Sequence, residues 1–256
     1  MRWVLPAAAA LSLWTGQPAP APAPVSVSVV VELFTSEGCS SCPPADLLLG
    51  RLAKDQPVAG VQVIPLGMHV TYWDQLGWRD PASLALATAR QQDYSRVFGS
   101  DRVYTPQVVI DGAAELVGSD EAGVRRAIAK AARQPHAHLS LVAAVDGTAL
   151  NAKVTIAELP AGASEPMEVQ VVLTESGLTS VVLRGENGGR TLRHDAVVRA
   201  MVGGAAVTGH PLTLGTRLRP EWRVEQMRAI ALLQGRKSQR IWGAAVAALA
   251  RVGTVQ

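Results

Sequence analysis

The sequence predicts an α/β domain over residues 25–135, followed by an all-β, sandwich-like domain over residues 136–256. In the first part, Val-rich and amphipathic runs alternate in the order strand, helix, strand, helix, strand, strand, helix. This order is typical of a mixed sheet covered by helices. In the second part, short apolar or alternating runs are separated by glycine-rich or charged turns, as in β-sandwiches. The change of pattern predicts a domain boundary at Gln134-Pro135.

The first two strands and helices are predicted from periodicity and from their end signals. Residues 25–34 and 61–67 are rich in Val and Ile and predict strands of a buried sheet. Pro43 and Pro44 suit the first turn of a helix, where the missing N–H would have no partner. Asp80, followed by a proline, predicts the N-cap of the second helix.

A hairpin and a third helix complete the α/β pattern. Residues 107–110 and 115–117 flank Asp111 and a following glycine, a pair that predicts a tight hairpin turn. Asp120 then predicts the cap of a helix whose apolar residues recur at helical spacing.

The N-terminal residues 1–24 have the composition of an export signal. One Arg precedes an apolar stretch, and a Pro/Ala tract follows it. Such a layout predicts a secretory signal peptide and an extended spacer, and therefore a periplasmic or secreted protein. An uncleaved membrane anchor is the alternative.

The charge of the chain is modest and scattered. The formal net charge is +3, and no basic stripe is present. This pattern argues against a nucleic-acid partner.

Cys39 and Cys42 are the two cysteines of the chain, and they form a CxxC motif between the first strand and the first helix. A structural disulfide across so short a loop would stabilise the fold little. A zinc site needs about four ligands, and the five histidines are dispersed. The third interpretation is a reactive dithiol, because a helix N-terminus favours the thiolate. We therefore expect Cys39 to be the outer, attacking cysteine and Cys42 the more buried, resolving one.

A second segment, residues 103–120 with the sequence VYTPQVVIDGAAELVGSD, supports the dithiol. Together with the CxxC it resembles the thioredoxin superfamily, and its sequence is most similar to that of glutaredoxins. The resemblance implies a thioredoxin-like first domain, with a cis peptide bond at Pro106 beside the dithiol. It also implies that Thr105 pairs with an extended substrate chain, and that Asp120 helps to hold the γ-glutamyl end of glutathione. Simple helix capping explains Asp120 equally well.

Five separated phrases resemble a family of exported bacterial thioredoxin-like proteins labelled domain of unknown function 1223. That resemblance implies a thioredoxin-like fold and redox chemistry, but it does not specify a reaction. Gly38 stands where thioredoxins usually carry an aromatic residue, and Pro43 stands where a basic residue is common. Both departures leave the redox potential and the usual partners open. The phrases are VVELFTSEGCSSCPPAD, HVTYWDQLGWRDP, RQQDYS, YTPQVVIDG and GENGGRTLRHDAVVR.

Two further segments combine unusual side chains. Residues 69–81 concentrate aromatic and polar groups in a chain poor in aromatics, and there His69 and Trp73 are candidate substrate contacts. The tryptophans of this segment could equally cap a small core. Residues 184–199 gather arginines and a histidine, and we expect mainly a strand with a solvated basic face. A docking face against the first domain, or an anion site, is the alternative.

These observations predict an exported thiol–disulfide oxidoreductase without a cofactor. Its partners would be protein thiols or disulfides of the cell envelope, with glutathione as an alternative co-substrate. The alternative is a non-catalytic scaffold or assembly protein whose β domain holds a partner.

Overall fold

A computed structural model describes residues 27–160, 162–205 and 210–252 of the protein. The signal and spacer predicted over residues 1–24 lie outside the described residues. Three α-helices occur in the described part of the chain: α1 Pro43–Asp55, α2 Ala85–Val97 and α3 Glu121–Ala131. The strands are β1 Val27–Thr35, β2 Val61–His69, β3 Gln107–Ile110, β4 Ala114–Val117, β5 His138–Asp146, β6 Ala149–Glu158, β7 Met167–Glu175, β8 Leu178–Val181, β9 Thr191–His194, β10 Val197–Ala205, β11 Leu212–Arg217, β12 Met227–Gly235, β13 Ile241–Ala248 and β14 Ala250–Arg251.

The main element of the fold is one mixed sheet of eight strands in the order β13-β12-β7-β10-β2-β1-β3-β4. It takes strands from both sides of residue 135. The predicted fold class, an α/β thioredoxin-like domain followed by an all-β sandwich-like domain, is therefore wrong: the chain is mainly β around this sheet. Smaller sheets have the orders β11-β6-β5-β14 and β8-β9.

The two halves of the large sheet meet at β2 and β10. These strands run parallel, with Val197 opposite Gly67, and the Gly67 N–H donates to the Ala196 carbonyl at 2.8 Å. A free edge of β2 would leave backbone groups unpaired, and β10 pairs with that edge at its Gly67 end. Periodicity identifies each strand but carries no information about this pairing.

Strand β1 is buried on both faces, which positions the helices. Its residues Val29, Val31 and Leu33 pack in the cluster with α1 and α3. Val30 and Phe34, on the other face, pack in the cluster that contains Tyr94 of α2. The Val-rich, nearly continuous apolar sequence of β1 is what a strand covered on both faces requires.

Most predicted element ends agree with the structure. Helix α1 begins at Pro43, and Asp120 caps α3 by accepting the Gly123 N–H at 2.9 Å. The hairpin turn between β3 and β4 has positive φ at Asp111 (45°) and Gly112 (63°), as predicted for this pair.

The start of α2 is an exception. Asp80 was predicted to cap α2, but this helix begins at Ala85. The Asp80 carboxylate instead accepts hydrogen bonds from His69 and from the Glu37 backbone N–H. Asp80 Oδ1 accepts the Ala82 N–H at 2.8 Å, so the carboxylate makes a local turn and a tertiary ion pair but does not cap α2.

A buried ion pair fastens α2 to the large sheet. Arg90 is 6% exposed and donates from Nε to Glu32 Oε1 of β1 at 2.5 Å. Its Nη1 donates to Gln234 of β12 at 2.8 Å. The Tyr94 hydroxyl donates to Glu32 Oε2 at 2.5 Å. One guanidinium therefore joins elements from distant parts of the chain.

Within the described ranges, no helix combines the length and the apolar character needed to cross a bilayer.

Candidate functional site

The two cysteines form a disulfide at the N-terminus of α1. Cys42 is the N-cap residue, and the Cα atoms of Cys39 and Cys42 are 5.4 Å apart. The Cys42 N–H donates to the Cys39 carbonyl at 3.2 Å, and Cys39 Sγ lies 3.4 Å from the Ser41 hydroxyl. Both cysteines have a relative exposure of 0%. The expectation that Cys39 is exposed is wrong for this form of the protein.

The cover over the disulfide comes from far along the sequence. The loop between β8 and β9, residues 182–190, is here called the lid. The Asn187 amide donates to the carbonyls of Glu37 and Cys39, each at 2.9 Å, and Asn187 is itself fully buried. Glu186 Oε2 accepts the Ser40 N–H at 2.9 Å. The lid side chains thus use the backbone polar groups that a bound peptide could otherwise contact.

The lid folds back on itself in a way that its glycines permit. Gly185 has φ of 75°, a region that other residues rarely adopt, and an added Cβ would lie 3.2 Å from Trp78 Cβ. The Val182 N–H donates to the Arg190 carbonyl, which closes the base of the loop. The result is a compact turn that places Asn187 against the backbone of the CxxC segment.

A cluster of titratable groups is buried close to the CxxC loop. Its members are each at most 7% exposed and come from the CxxC segment, from α1, from β2 and the loop after it, and from β9: Glu37, Asp46, His69, Asp80 and His194. Burial of so many titratable side chains in one place is unusual unless they pair. Perturbed groups of this kind are enriched at functional sites.

His69 and Asp80 form the first pair of the cluster. His69 Nδ1 and Asp80 Oδ2 are 2.7 Å apart, and Asp80 Oδ2 also accepts the Glu37 N–H at 2.8 Å. Burial opposes the charged form of His69, but the Asp80 carboxylate outweighs it and raises the pKa of His69 to about 9. Burial likewise opposes ionisation of Asp80, while His69 holds the pKa of Asp80 at about 2. The pair is therefore ionised at neutral pH and ties β2 to the CxxC segment.

His194 lies between the carboxyl groups of Glu37 and Asp46. Its Nε2 is 3.4 Å from Glu37 Oε1, and its Nδ1 is 3.9 Å from Asp46 Oδ2. Glu37 Oε2 accepts hydrogen bonds from Trp78 Nε1 at 2.7 Å and from the Ser180 hydroxyl at 3.0 Å.

Asp46 is the member of the cluster nearest to Cys42 in the helix. It follows Cys42 at the i+4 position, so both side chains lie on one face of α1. Burial raises the pKa of Asp46 to about 6, although His194 and His69 oppose this shift. The carboxyl group can therefore gain or lose a proton near neutral pH.

We expect stability to fall as pH rises from about 6.5 to 9. The pKa of His69 is about 9 in the fold and about 6.5 in the unfolded chain. Its contribution is therefore complete below the lower value and is lost as pH rises through the higher one. A shift of this size corresponds to about 3 kcal/mol in the free energy of unfolding.

Urea unfolding at a series of pH values tests this expectation. The Asp80→Asn protein is the control, because it lacks the carboxylate that raises the pKa of His69, and its stability should vary less over the same interval. Equal slopes for the two proteins would contradict the role of the pair.

Three of the predicted site residues lie together next to the CxxC segment. The Thr105-Pro106 peptide bond is cis, as predicted. Trp73 Nε1 donates to the Thr105 hydroxyl at 2.8 Å, and a Cβ on Gly38 would lie 3.3 Å from Trp73 Cβ.

Pro106 lies beside the first turn of α1, because a Cβ on Gly118 would contact both Pro106 and Ala45. His69 belongs to the buried cluster. Asp120 does not join the group, because its carboxylate caps α3.

For residues 184–199 the structure confirms the alternative, a docking face against the first part of the chain, whereas most of the buried cluster was not predicted. Residues 184–199 were expected mainly as a strand with a solvated basic face. Arg193 is exposed on β9, but Asn187 and His194 are buried and face the CxxC segment. The density of glycine around Asn187 was a usable signal for a tight loop, whereas its target was not encoded locally. In the described ranges, no group of three or more His, Cys, Asp or Glu side chains is arranged to hold a metal ion.

Comparisons with known proteins give one family and several similar structures. A family model described as a protein of unknown function, DUF1223, matches residues 30–234. A crystal structure of an Agrobacterium tumefaciens protein is similar at 25% identity and a TM-score of 0.64, covering 90% of this chain and 98% of that one. The structure of HBP35 of Porphyromonas gingivalis is similar at 14% identity and a TM-score of 0.66, covering 90% of this chain and 78% of that one, which indicates a shared fold. Among curated proteins there is no significant match.

Proposed function

The chain belongs to the DUF1223 family of proteins of unknown function, and we propose that its Cys39–Cys42 pair is a redox-active dithiol that exchanges disulfides with a partner protein. The observation that carries the proposal is the placement of this disulfide. It lies at a helix N-terminus, between a lid and a buried cluster of acidic and histidine side chains. A disulfide that spans so few residues would add little to the stability of a fold of this size.

The exchange can be written with the atoms and electrons balanced. A thiolate of a reduced partner attacks Cys39 Sγ, the Cys39–Cys42 bond breaks, and Cys42 leaves as a thiolate. A second partner thiolate then attacks the mixed disulfide and releases Cys39. The partner dithiol is oxidised to a disulfide, and the Cys39–Cys42 disulfide is reduced to two thiols. The opposite direction, in which Cys39 attacks a partner disulfide and Cys42 resolves it, is the reverse of the same steps.

The groups around the cysteines support this chemistry. The positive end of α1 lowers the cost of a thiolate at Cys42. Asp46, with a pKa of about 6, can hold a proton on the same helix face. Trp73, Thr105 and Pro106 would border the partner chain once the lid has moved. Because Cys39 is buried in the oxidised form, a partner thiolate can reach it only after a local opening, and we assign that opening to the lid.

A periplasmic or secreted location fits this activity, because disulfides form and persist in these oxidising compartments. Glutathione is a smaller co-substrate of the same chemistry. Calorimetric titration of the full chain with glutathione tests its binding, with the Cys39→Ser/Cys42→Ser protein as the control for binding that does not involve the cysteines.

Replacing Cys42 with serine is expected to trap the partner. Without the resolving thiol, the mixed disulfide at Cys39 persists, and partners should appear as adducts that reductant releases on non-reducing gels. The Cys39→Ser/Cys42→Ser protein is the matched control. Adducts that are absent, or that are equally abundant in the control, would argue against the proposal.

A second candidate function is a non-catalytic scaffold, and the complete burial of both cysteines favours it. The equilibrium of the pair with glutathione separates the two. Dithiol oxidoreductases have potentials of roughly −270 to −120 mV, and structural disulfides fall below about −300 mV. A value in the first range supports exchange, and one in the second supports the scaffold.

A further inference from the structure

A cavity of about 520 Å³ lies outside the disulfide site. It is formed by the loop between β2 and α2, by β10, and by the segment after β11, and its lining includes Arg79, Arg199, Arg219 and Trp222. Its volume is within the range of small-molecule sites. Three arginines in one cavity are a charge pattern that the disulfide chemistry does not use.

The carboxylates around the cavity leave positive charge uncompensated. Arg199 Nε is 3.5 Å from Glu175 Oε2, but Glu175 is shared with Arg223, whose Nε is 2.9 Å from Oε1. Arg79 and Arg219 have no carboxylate within 4 Å among the described residues. Asp80 lies in the cavity wall, and its charge is balanced by His69.

Trp222 holds two of the guanidinium groups in place. It is 7% exposed, and the Cζ atoms of Arg199 and Arg219 lie 5.5 and 5.7 Å from the centroid of its ring. Cation–π contacts attract each guanidinium to the ring, yet the two like charges repel each other. An oxyanion bound in the cavity would offset that repulsion. The contacts with Trp222 restrict the two guanidinium groups and so reduce the conformational entropy lost on binding.

We propose that this cavity binds a small organic molecule that carries at least two carboxylate or phosphate groups. Guanidinium groups pair with both kinds of oxyanion through parallel hydrogen bonds. The inference does not depend on the activity of the cysteines.

Calorimetric titration of the full chain tests the inference, with citrate as the carboxylate probe and pyrophosphate as the phosphate probe. We expect saturable binding of at least one probe, and the preferred probe identifies the anion. The Arg79→Ala/Arg219→Ala protein should bind about tenfold more weakly or worse, because charge-assisted hydrogen bonds are lost. Both side chains are exposed, so this variant is expected to fold.

The matched control removes the same charge elsewhere. Arg126→Ala/Arg193→Ala changes two exposed arginines outside the cavity and should bind like the unmodified protein. The inference is overturned if neither probe shows saturable binding. It is equally overturned if the control loses as much affinity as the cavity variant, because that result would mean attraction to net charge alone.

Discussion

Replacing Arg90 with methionine is expected to lower the free energy of unfolding by about 3–5 kcal/mol, because it leaves a buried carboxyl group without its charged partner. Glu32 is fully buried on β1, and Arg90 supplies two of its hydrogen bonds. The same guanidinium donates to Gln234 of β12, so its loss also weakens the contact between α2 and a strand far along the chain. Chemical denaturation followed by circular dichroism measures the effect.

A control and a double variant make this result specific. Arg126→Met removes an exposed arginine from α3 and should change stability by no more than about 0.5 kcal/mol. Adding Glu32→Leu to Arg90→Met removes the unpaired carboxyl group and should recover much of the lost free energy of unfolding. If Arg90→Met behaves like the control, the ion pair does not stabilise the fold as inferred here.

The strands and helices could be predicted because their information is local. The apolar run of β1, the prolines at the start of α1 and the Asp111-Gly112 turn each specify a structure within a few residues. The pairing of β2 with β10 could not be predicted in this way. It depends on one short contact between Gly67 and Val197, and the sequence on either side is equally compatible with two separate sheets. The error in fold class arises at that contact.

In the candidate site, too, local features could be predicted from the sequence and long-range contacts could not. The CxxC and the Thr105-Pro106 bond were predicted from sequence phrases, and the structure places them near one another. Asp80 has the local pattern of a helix cap, yet His69 takes its carboxylate at 2.7 Å. Asn187 is 148 residues from Cys39, and no pattern within the lid indicates what it covers. Such long-range polar contacts become visible only in the folded chain.

Replacing Asn187 with alanine is expected to speed reduction of the Cys39–Cys42 disulfide by dithiothreitol about tenfold to a hundredfold. A thiolate must touch a sulfur atom, and both cysteines are inaccessible while the lid is closed. The Asn187 amide supplies two of the hydrogen bonds that hold the lid to the CxxC segment. Losing them raises the fraction of molecules with an open lid, and the reduction rate rises in proportion. Thiol labelling at timed intervals, read by mass spectrometry, gives the rate.

Two further variants of this protein test whether the lid opens without unfolding of the whole chain. Arg184→Ala changes an exposed side chain of the same lid and should reduce at the rate of the unmodified protein. Arg90→Met lowers global stability without touching the lid. If reduction required unfolding of the whole chain, Arg90→Met would accelerate it at least as much as Asn187→Ala does, and the lid would not be a gate. A large acceleration in Asn187→Ala alone means that the disulfide becomes reachable in an otherwise folded protein, which is the condition that an exchange reaction with a partner imposes.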